Sequence, residues 1–395
     1  MITNHAQVVV RRHTPAGQQC FFGYYDKCPW NSGSERVLAG MTQVSGRQAG
    51  PDDSLVLGYQ GTGRDGSVFQ PLGETLAWNF QQGAMAQWLD LDGRELVLFN
   101  VRNGKQAHAT LVDTSGLRVR DLEQAVYALS AARCLAASID FGRLTLLRPG
   151  YGYAGVGTKH SGDAAPEEDG LSLIDLATGT SWLAVSYAVL AGQVEPRGHG
   201  APHWIDHIEF SPDGGSLVFL HRWIASDGGP LTRLMAMDTE TGALSCLLDC
   251  GSAGHGVWLN NYEYGIWGRK GTLAASARSA TSKTAGLLGL GVQIARKLIP
   301  LSLKSRFHKE SFLIFNVRER TSSVGLPQIP HGRRGGHPSL DPSGKWIVSD
   351  TLPDSSGGRL LYLASLDGLV FIPLATFFHD PVSANGPYRC DLHPR

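Results

Sequence analysis

One short pattern recurs along this chain and limits its fold more than any other feature: a tight turn rich in Asp and Gly that runs straight into an apolar strand. It reads SPDGGSLVFL at 211–220, DPSGKWIVSD at 341–350 and DLDGRELVLF at 90–99, with a looser copy, PWNSGSERVLA, at 29–39. A second pattern alternates with it, an apolar strand ending in a polar hairpin: LSLIDLATG at 171–179, LMAMDTETG at 234–242 and LLYLASLDG at 360–368. The Thr-Gly and Asp-Gly steps suit tight β turns. A unit of this size cannot bury both of its faces alone, so neighbouring units must supply the core. The expectation is an all-β chain forming a single β-propeller domain over 1–395. Blades begin near Phe21, Ala77, Ala125, His203, Gly254 and Gly335. A seventh starts at Tyr388 and is cut short after Arg395, so the reading is seven-bladed with a truncated last blade. An open edge in such a ring invites aggregation. The run Val8-Val9-Val10 is expected to close it by pairing with the terminal segment.

Glycine at 49 of 395 residues and only 18% charged residues fit short strands joined by tight turns. The formal net charge is zero, which gives no argument for a nucleic-acid partner. The six cysteines include no CxxC pair, so neither a zinc site nor a disulfide framework is expected, and scattered thiols fit a reducing compartment. Met1–His5 lacks the charged-then-apolar start of a secretory signal, and no apolar run is long enough to span a bilayer. A cytoplasmic location follows as the expectation. One segment, 269–309 in the fifth blade, carries Lys and Arg but no Asp or Glu. Its stretch LLGLGVQIARKLI at 287–299 is expected to form an amphipathic helix ending before Pro300. Such an insertion serves either as a lid packed on the ring or as a contact with a membrane surface or anionic glycan.

The strongest chemical constellation is His337, Asp391 and His393. Imidazoles with a carboxylate suit a divalent ion such as Mn, Fe or Zn. Asp391 and His393 alternate on one strand and so face the same way, with His337 reaching them from the neighbouring blade. The competing reading makes each His-Pro pair a turn and packing feature only. His255 sits between Gly254 and Gly256, where a ligand can approach the backbone, and a neutral imidazole there can take a proton. His207, His221 and Arg222 bracket one strand pair, and Arg222 beside Trp223 reads as an anion clamp or as a structural stack. Arg233 follows on the next strand, as a carboxylate partner or a hairpin ion pair. Two stretches rich in aromatic and polar side chains offer a sugar-binding face: Trp78–Met85, with Gln81 and Gln82, and Arg148–Tyr153, with Arg148 and Tyr151. Tyr24-Tyr25-Asp26-Lys27 is similar.

From the fourth blade onward these residues resemble oligogalacturonate lyases: the HIEFSPDG strand at 207–214, His255 followed by an aromatic, His337, and the terminal His393-Pro394. The first half looks more like an uncharacterised branch of propellers. The resemblance implies a seven-bladed propeller that cleaves uronic-acid-containing oligosaccharides by β-elimination with manganese. It implies His255 as the base that abstracts the C5 proton, Arg233 as its assisting arginine, and His337 and His393 as two manganese ligands. Asp391 stands where the family has a further histidine, and Tyr388 where it has a glutamine ligand. The alternative class is a non-catalytic propeller that binds a polysaccharide or protein partner.

Overall fold

Asp-Gly turns and apolar runs together explain the strands. In the turn at 211–216, Ser211 Oγ and Gly215 N–H both donate to Asp213 Oδ1, at 2.7 and 3.1 Å. The turn at 341–346 is tied the same way, with Lys345 and Trp346 N–H donating to Asp341 Oδ1 at 2.9 and 2.7 Å. These side chains mimic a backbone turn and fix where each following strand begins. The strand after the first turn is apolar at consecutive positions because both of its faces are covered. Leu217 and Phe219 pack towards one neighbouring sheet, and Val218 and Leu220 towards the other. Successive strand side chains point to opposite faces, so a sheet sandwiched on both sides needs this unbroken run.

The computed structural model describes residues 2–63 except 7, 8, 11 and 16, then 68–194, 200–224, 230–270, 310–378 except 355, and 391–395. Within them β1 is Ile2–Asn4. The first meander is β2 (Gln19–Phe21), β3 (Arg36–Thr42), β4 (Leu55–Gly61) and β5 (Gln70–Thr75). The second is β6 (Gln87–Leu91), β7 (Arg94–Asn103), β8 (Gln106–Asp113) and β9 (Arg118–Leu122). The third is β10 (Ala128–Ser130), β11 (Leu135–Ser138), β12 (Gly170–Asp175) and β13 (Ser181–Ser186), with helix α1 (Phe141–Leu147) between β11 and β12 and α2 (Tyr187–Gly192) after β13. The fourth is β14 (His203–Phe210), β15 (Ser216–Ile224), β16 (Pro230–Asp238) and the first half of β17 (Leu244–Trp258). The second half of β17 opens the fifth, followed by β18 (Glu263–Arg269), β19 (Ser311–Asn316) and β20 (Thr321–Gly325). The sixth is β21 (Ser339–Leu340), β22 (Trp346–Asp350), β23 (Gly358–Ser365) and β24 (Phe371–Phe378). Neighbouring strands pair antiparallel throughout.

Each meander packs face-on against the next through its own apolar cluster. Leu38, Leu57, Trp78 and Phe99 join the first to the second. Leu98, Leu111, Ala136 and Ile174 join the second to the third. The third and fourth share Leu173, Val185, Phe219 and Met235; the fourth and fifth Val218, Leu234, Tyr264 and Phe315; the fifth and sixth Trp267, Phe312, Ile347 and Tyr362. Successive four-stranded sheets stacked face to face around an axis are the blades of a β-propeller.

The expected seventh blade falls mostly outside the described residues: Tyr388 is not among them, and 391–395 are irregular. The chain start pairs through β1, and not through Val9 and Val10; Val8 lies outside the described residues. Ile2, Thr3 and Asn4 pair antiparallel with Phe377, Thr376 and Ala375 on the outer strand of the sixth meander, whereas Val9 and Val10 are exposed and irregular. Pairing six residues earlier in the sequence lets β1 cover the free edge of β24. Of the basic segment 269–309, only Arg269 and Lys270 lie among the described residues. No described helix is long and apolar enough to cross a membrane.

Candidate metal centre

The inner strand of a blade runs beside the central axis, and several of these strands break register there. In the first blade, β2 pairs with Gly40–Thr42, and pairing resumes only at Trp30 with Val37. Residues between those points, including Tyr24 and Tyr25, loop inward. In the fourth, the register shifts between Asp206 and Glu209, and His207 takes a positive φ of 52°. In the fifth, it shifts between Ala253 and Gly256, around His255. Before the sixth, Gly335 and Gly336 have φ of 90° and 99°. A Cβ at Gly336 would collide with the Asp350 carbonyl, so only glycine lets the chain turn His337 onto the axis. Such irregularities re-aim side chains, and a positive φ at a non-glycine residue stores strain that collects at functional sites. His393, from the last described segment, is strained in the same way, at φ 44°.

These irregular points bring four imidazoles together. Ring centroids lie 4.0 Å apart for His255 and His337, 4.4 Å for His337 and His393, and 5.3 Å for His207 and His255. Every one of the four uses Nδ1 against a group that can only accept. His337 Nδ1 lies 2.8 and 3.0 Å from the two Asp350 oxygens. His207 Nδ1 lies 2.6 Å from Asp206 Oδ1, His255 Nδ1 3.2 Å from the Gly336 carbonyl, and His393 Nδ1 2.8 Å from the Gly23 carbonyl. Nδ1 therefore carries the proton in each, and Nε2 presents a lone pair. In His207 that lone pair accepts from the Tyr24 hydroxyl at 2.6 Å. In His337 it faces Asp391, with Nε2 3.8 Å from Oδ2. Donor atoms of His337, Asp391 and His393 all lie within 4.8 Å of one another. The donor chemistry fits a divalent ion: neutral nitrogens held in the ligating tautomer by carboxylate and carbonyl partners, beside one carboxylate.

Burial keeps the His207, His255 and His393 rings neutral. Loss of water holds the His393 imidazole at about 4, with nearby His337 acting in the same direction. Burial likewise holds His207 at about 4 against the pull of Asp206, and holds His255 well below its ordinary value, reinforced by His337, His207 and His393. His337 is fully buried, while His255 and His393 are only partly covered, so the group is approached from their side.

Beside this group lies a polar face. Buried Asp206 pairs with Arg148, with Arg222 Nε at 3.0 Å, and with His207. Burial alone would raise its carboxyl, but the two guanidinium groups hold it well below the usual range. Two arginines against one carboxylate leave positive charge over. The Arg148 guanidinium also stacks on Tyr151, 3.6 Å from the ring centroid, and Tyr151 donates to Gln81 Oε1 at 3.4 Å. Gln82 donates to the Tyr127 hydroxyl at 2.7 Å, which in turn receives the His207 N–H at 2.9 Å. His207, Arg222, Arg148, Tyr151, Gln81 and Gln82 therefore share one connected face. Arg233 is not brought to it. Its side chain lies on the third strand of the fourth blade, with Nε 3.4 Å from Cys246 Sγ and 3.5 Å from Asp249 Oδ1. A strand's inward alternation and its distance from the axis together decide this, and spacing in sequence reports only the first. One cleft, of about 490 Å³, opens off the axis beside Asp140, Phe141 and Asp169 and touches none of these residues.

Four site residues escaped the sequence reading. Asp350 orients His337, and its signal was the strand end in IVSD, 13 residues after the histidine. Asp206 precedes His207 and anchors both arginines. Glu209 accepts from the hydroxyls of Tyr25 and Tyr264 at 2.8 and 2.6 Å, and burial raises its carboxyl strongly. Arg359 is wholly buried and reaches Asp391.

The fold and this centre define a β-propeller with a candidate axial His/Asp metal site. The chain is similar over 94% of its length to an oligogalacturonate lyase from Vibrio parahaemolyticus, of which it covers 83%, at 11% identity and a TM-score of 0.54. It is also similar to the β-propeller domain of the trilobed protease from Pyrococcus furiosus (10% identity, 90% of this chain, 84% of that chain, TM-score 0.49) and to TolB from Acinetobacter baumannii (15%, 87%, 64%, TM-score 0.41). It thus spans a little under two thirds of that TolB. At these identities the likeness is one of fold. No family model and no curated protein sequence matches the chain.

Proposed function

We propose that this protein is a metal-dependent lyase acting on uronic-acid-containing oligosaccharides by β-elimination. The observation that carries the reading is the convergence of His337, Asp391 and His393 donor atoms within 4.8 Å, next to a neutral His255. His337 and His393 would hold the ion through Nε2 and Asp391 through a carboxylate oxygen. A divalent ion bound there supplies positive charge to the substrate carboxylate. Arg148 and Arg222, whose joint charge exceeds that of Asp206, add to that attraction from the adjoining face. They replace Arg233 in the role that the lyase resemblance implied. His255 Nε2, kept unprotonated by burial, takes the proton from C5. The C5–H electron pair becomes the C4=C5 double bond, the C4–O bond breaks, and the departing oxygen is protonated from solvent. Tyr151 supplies a ring contact for the sugar, while buried Gln81 and Gln82 hold the Tyr151 and Tyr127 hydroxyls in place.

The test is a screen of oligouronides against the metal-loaded protein, read by the ultraviolet absorbance of the conjugated double bond. The reading expects product with wild type and none with His255→Ala. Turnover that survives His255→Ala would remove the assigned base. A bound oligosaccharide with no unsaturated product for any uronide would favour the non-catalytic binding propeller.

A further inference from the structure

Among the described residues Arg143 and Arg359 are the most deeply buried arginines, and the contrast between them is informative. Arg143 serves the scaffold. Its Nε donates to the His203 carbonyl at 2.6 Å, Nη1 to that of Asp163 at 3.1 Å and Nη2 to that of Ala164 at 2.6 Å. Arg359, 0% exposed on β23, has no such carbonyls. Its Nε and Nη1 meet no hydrogen-bond acceptor among the described residues. Its counter-charge is Asp391, with Nη2 2.6 Å from Oδ1 in an ion pair rather than an aligned hydrogen bond. Burying a guanidinium costs several kcal/mol unless a partner compensates it. An arginine kept for packing would be replaced at lower cost by an apolar side chain of similar volume. The position of Asp391 explains its presence. While Oδ1 faces Arg359, Oδ2 lies 3.8 Å from His337 Nε2, on the side of the candidate metal centre.

We infer that Arg359 is a positioning residue for the metal centre: it fixes the Asp391 carboxylate through Oδ1 so that Oδ2 is aimed at the ion. This rests on the metal reading above. The two charges cancel, so the gain is one of orientation. A carboxylate on an irregular segment (391–395 form no strand) would otherwise have to be ordered when the ion arrives. Partners of this kind, one bond removed from the ion, are worth about 10–100-fold in metal affinity.

The experiment measures Mn²⁺ and Zn²⁺ binding by titration calorimetry on wild type, Arg359→Met, Arg359→Lys, Asp391→Asn and the Arg359→Met/Asp391→Asn double variant, with circular dichroism and Tm for each. Arg359→Met is expected to bind about 10–100-fold more weakly than wild type. Arg359→Lys, which keeps the charge but lacks the planar fork, should fall between them. In the Asp391→Asn background, adding Arg359→Met should change affinity by less than about threefold, because its effect runs through that carboxylate. A folded Arg359→Met that binds as tightly as wild type overturns the inference, as does equal weakening in both backgrounds. If Arg359→Met does not fold, Arg359→Lys decides, and unchanged affinity there overturns it. Wild type that binds neither ion overturns the metal reading itself, a different result from the others.

Discussion

Asp350→Asn is the sharpest perturbation of the candidate centre. Asp350 is fully buried and does two things at once: it accepts the His337 backbone N–H at 2.7 Å and the His337 Nδ1–H at 2.8 Å. An asparagine keeps a single acceptor oxygen. If it takes the Oδ1 position, which accepts both bonds, its NH₂ stands where Asp350 Oδ2 lies 3.0 Å from His337 Nδ1 and opposes a proton there. That favours the imidazole with its proton on Nε2, towards Asp391 and the ion. If the amide flips instead, the backbone N–H is left buried without an acceptor, at a cost of about 1–3 kcal/mol. Either way the ligating tautomer of His337 is penalised. Losing the carboxylate partner of a ligating histidine typically weakens metal binding by about 10–100-fold, or about 1.4–2.7 kcal/mol. Titration calorimetry with Mn²⁺ gives the affinity, and nitrogen NMR of labelled histidine gives the His337 tautomer. Unchanged affinity in a folded variant whose His337 has switched to the Nε2–H form would refute the claim that this ring is a ligand.

Three further outcomes follow from the geometry. Tyr24→Phe removes the donor to His207 Nε2 and should lower stability by about 1–3 kcal/mol in denaturant titration; a change below about 0.5 kcal/mol would mean that the bond is not formed. Phe219→Ala, in the cluster between the third and fourth blades, should cost about 3–5 kcal/mol, and a cost near that of a surface substitution would contradict the face-to-face blade packing. His207 is held at about 4 in the folded protein against an ordinary 6.5, so the unfolded chain binds more protons between those values. Stability should therefore fall as pH drops from about 6.5 to about 4, by about 3 kcal/mol for this residue. Asp206, held below its ordinary range, extends the loss to lower pH. The His207→Gln variant should show a visibly flatter profile over the upper part of that range.

How much of this was legible in the sequence depended on whether the signal was local. The Asp-Gly turns before β15 and β22 and the apolar runs behind them are local, and they marked the blades well. The trio His337, Asp391 and His393 was also legible, because blade entries at the axis converge there, although Asp391 and His393 sit on an irregular segment and not on the strand expected of them. The pairing of the chain start was not legible, since the apolar run after it drew the expectation and only the edge of β24 shows that Ile2–Asn4 pairs there. Nor was the fate of Arg233. It alternates onto a plausible face, yet its strand is the third from the axis, whereas Arg148 and Arg222 reach Asp206 from the α1 end and from the second strand. Asp350 and Arg359 were missed for a related reason. A buried charge inside an apolar run is conspicuous only once its partner is known, and each partner lies in another part of the chain.

The central claim is that the axial group holds a divalent ion. The most direct measurement is the metal content of the purified protein by elemental analysis, with His337→Ala and His393→Ala prepared alongside it. The account predicts close to one equivalent of Mn, Fe or Zn in wild type and its loss in both variants, with folding preserved by circular dichroism. Wild type without bound metal, and without a rise in Tm when each ion is added, would contradict it.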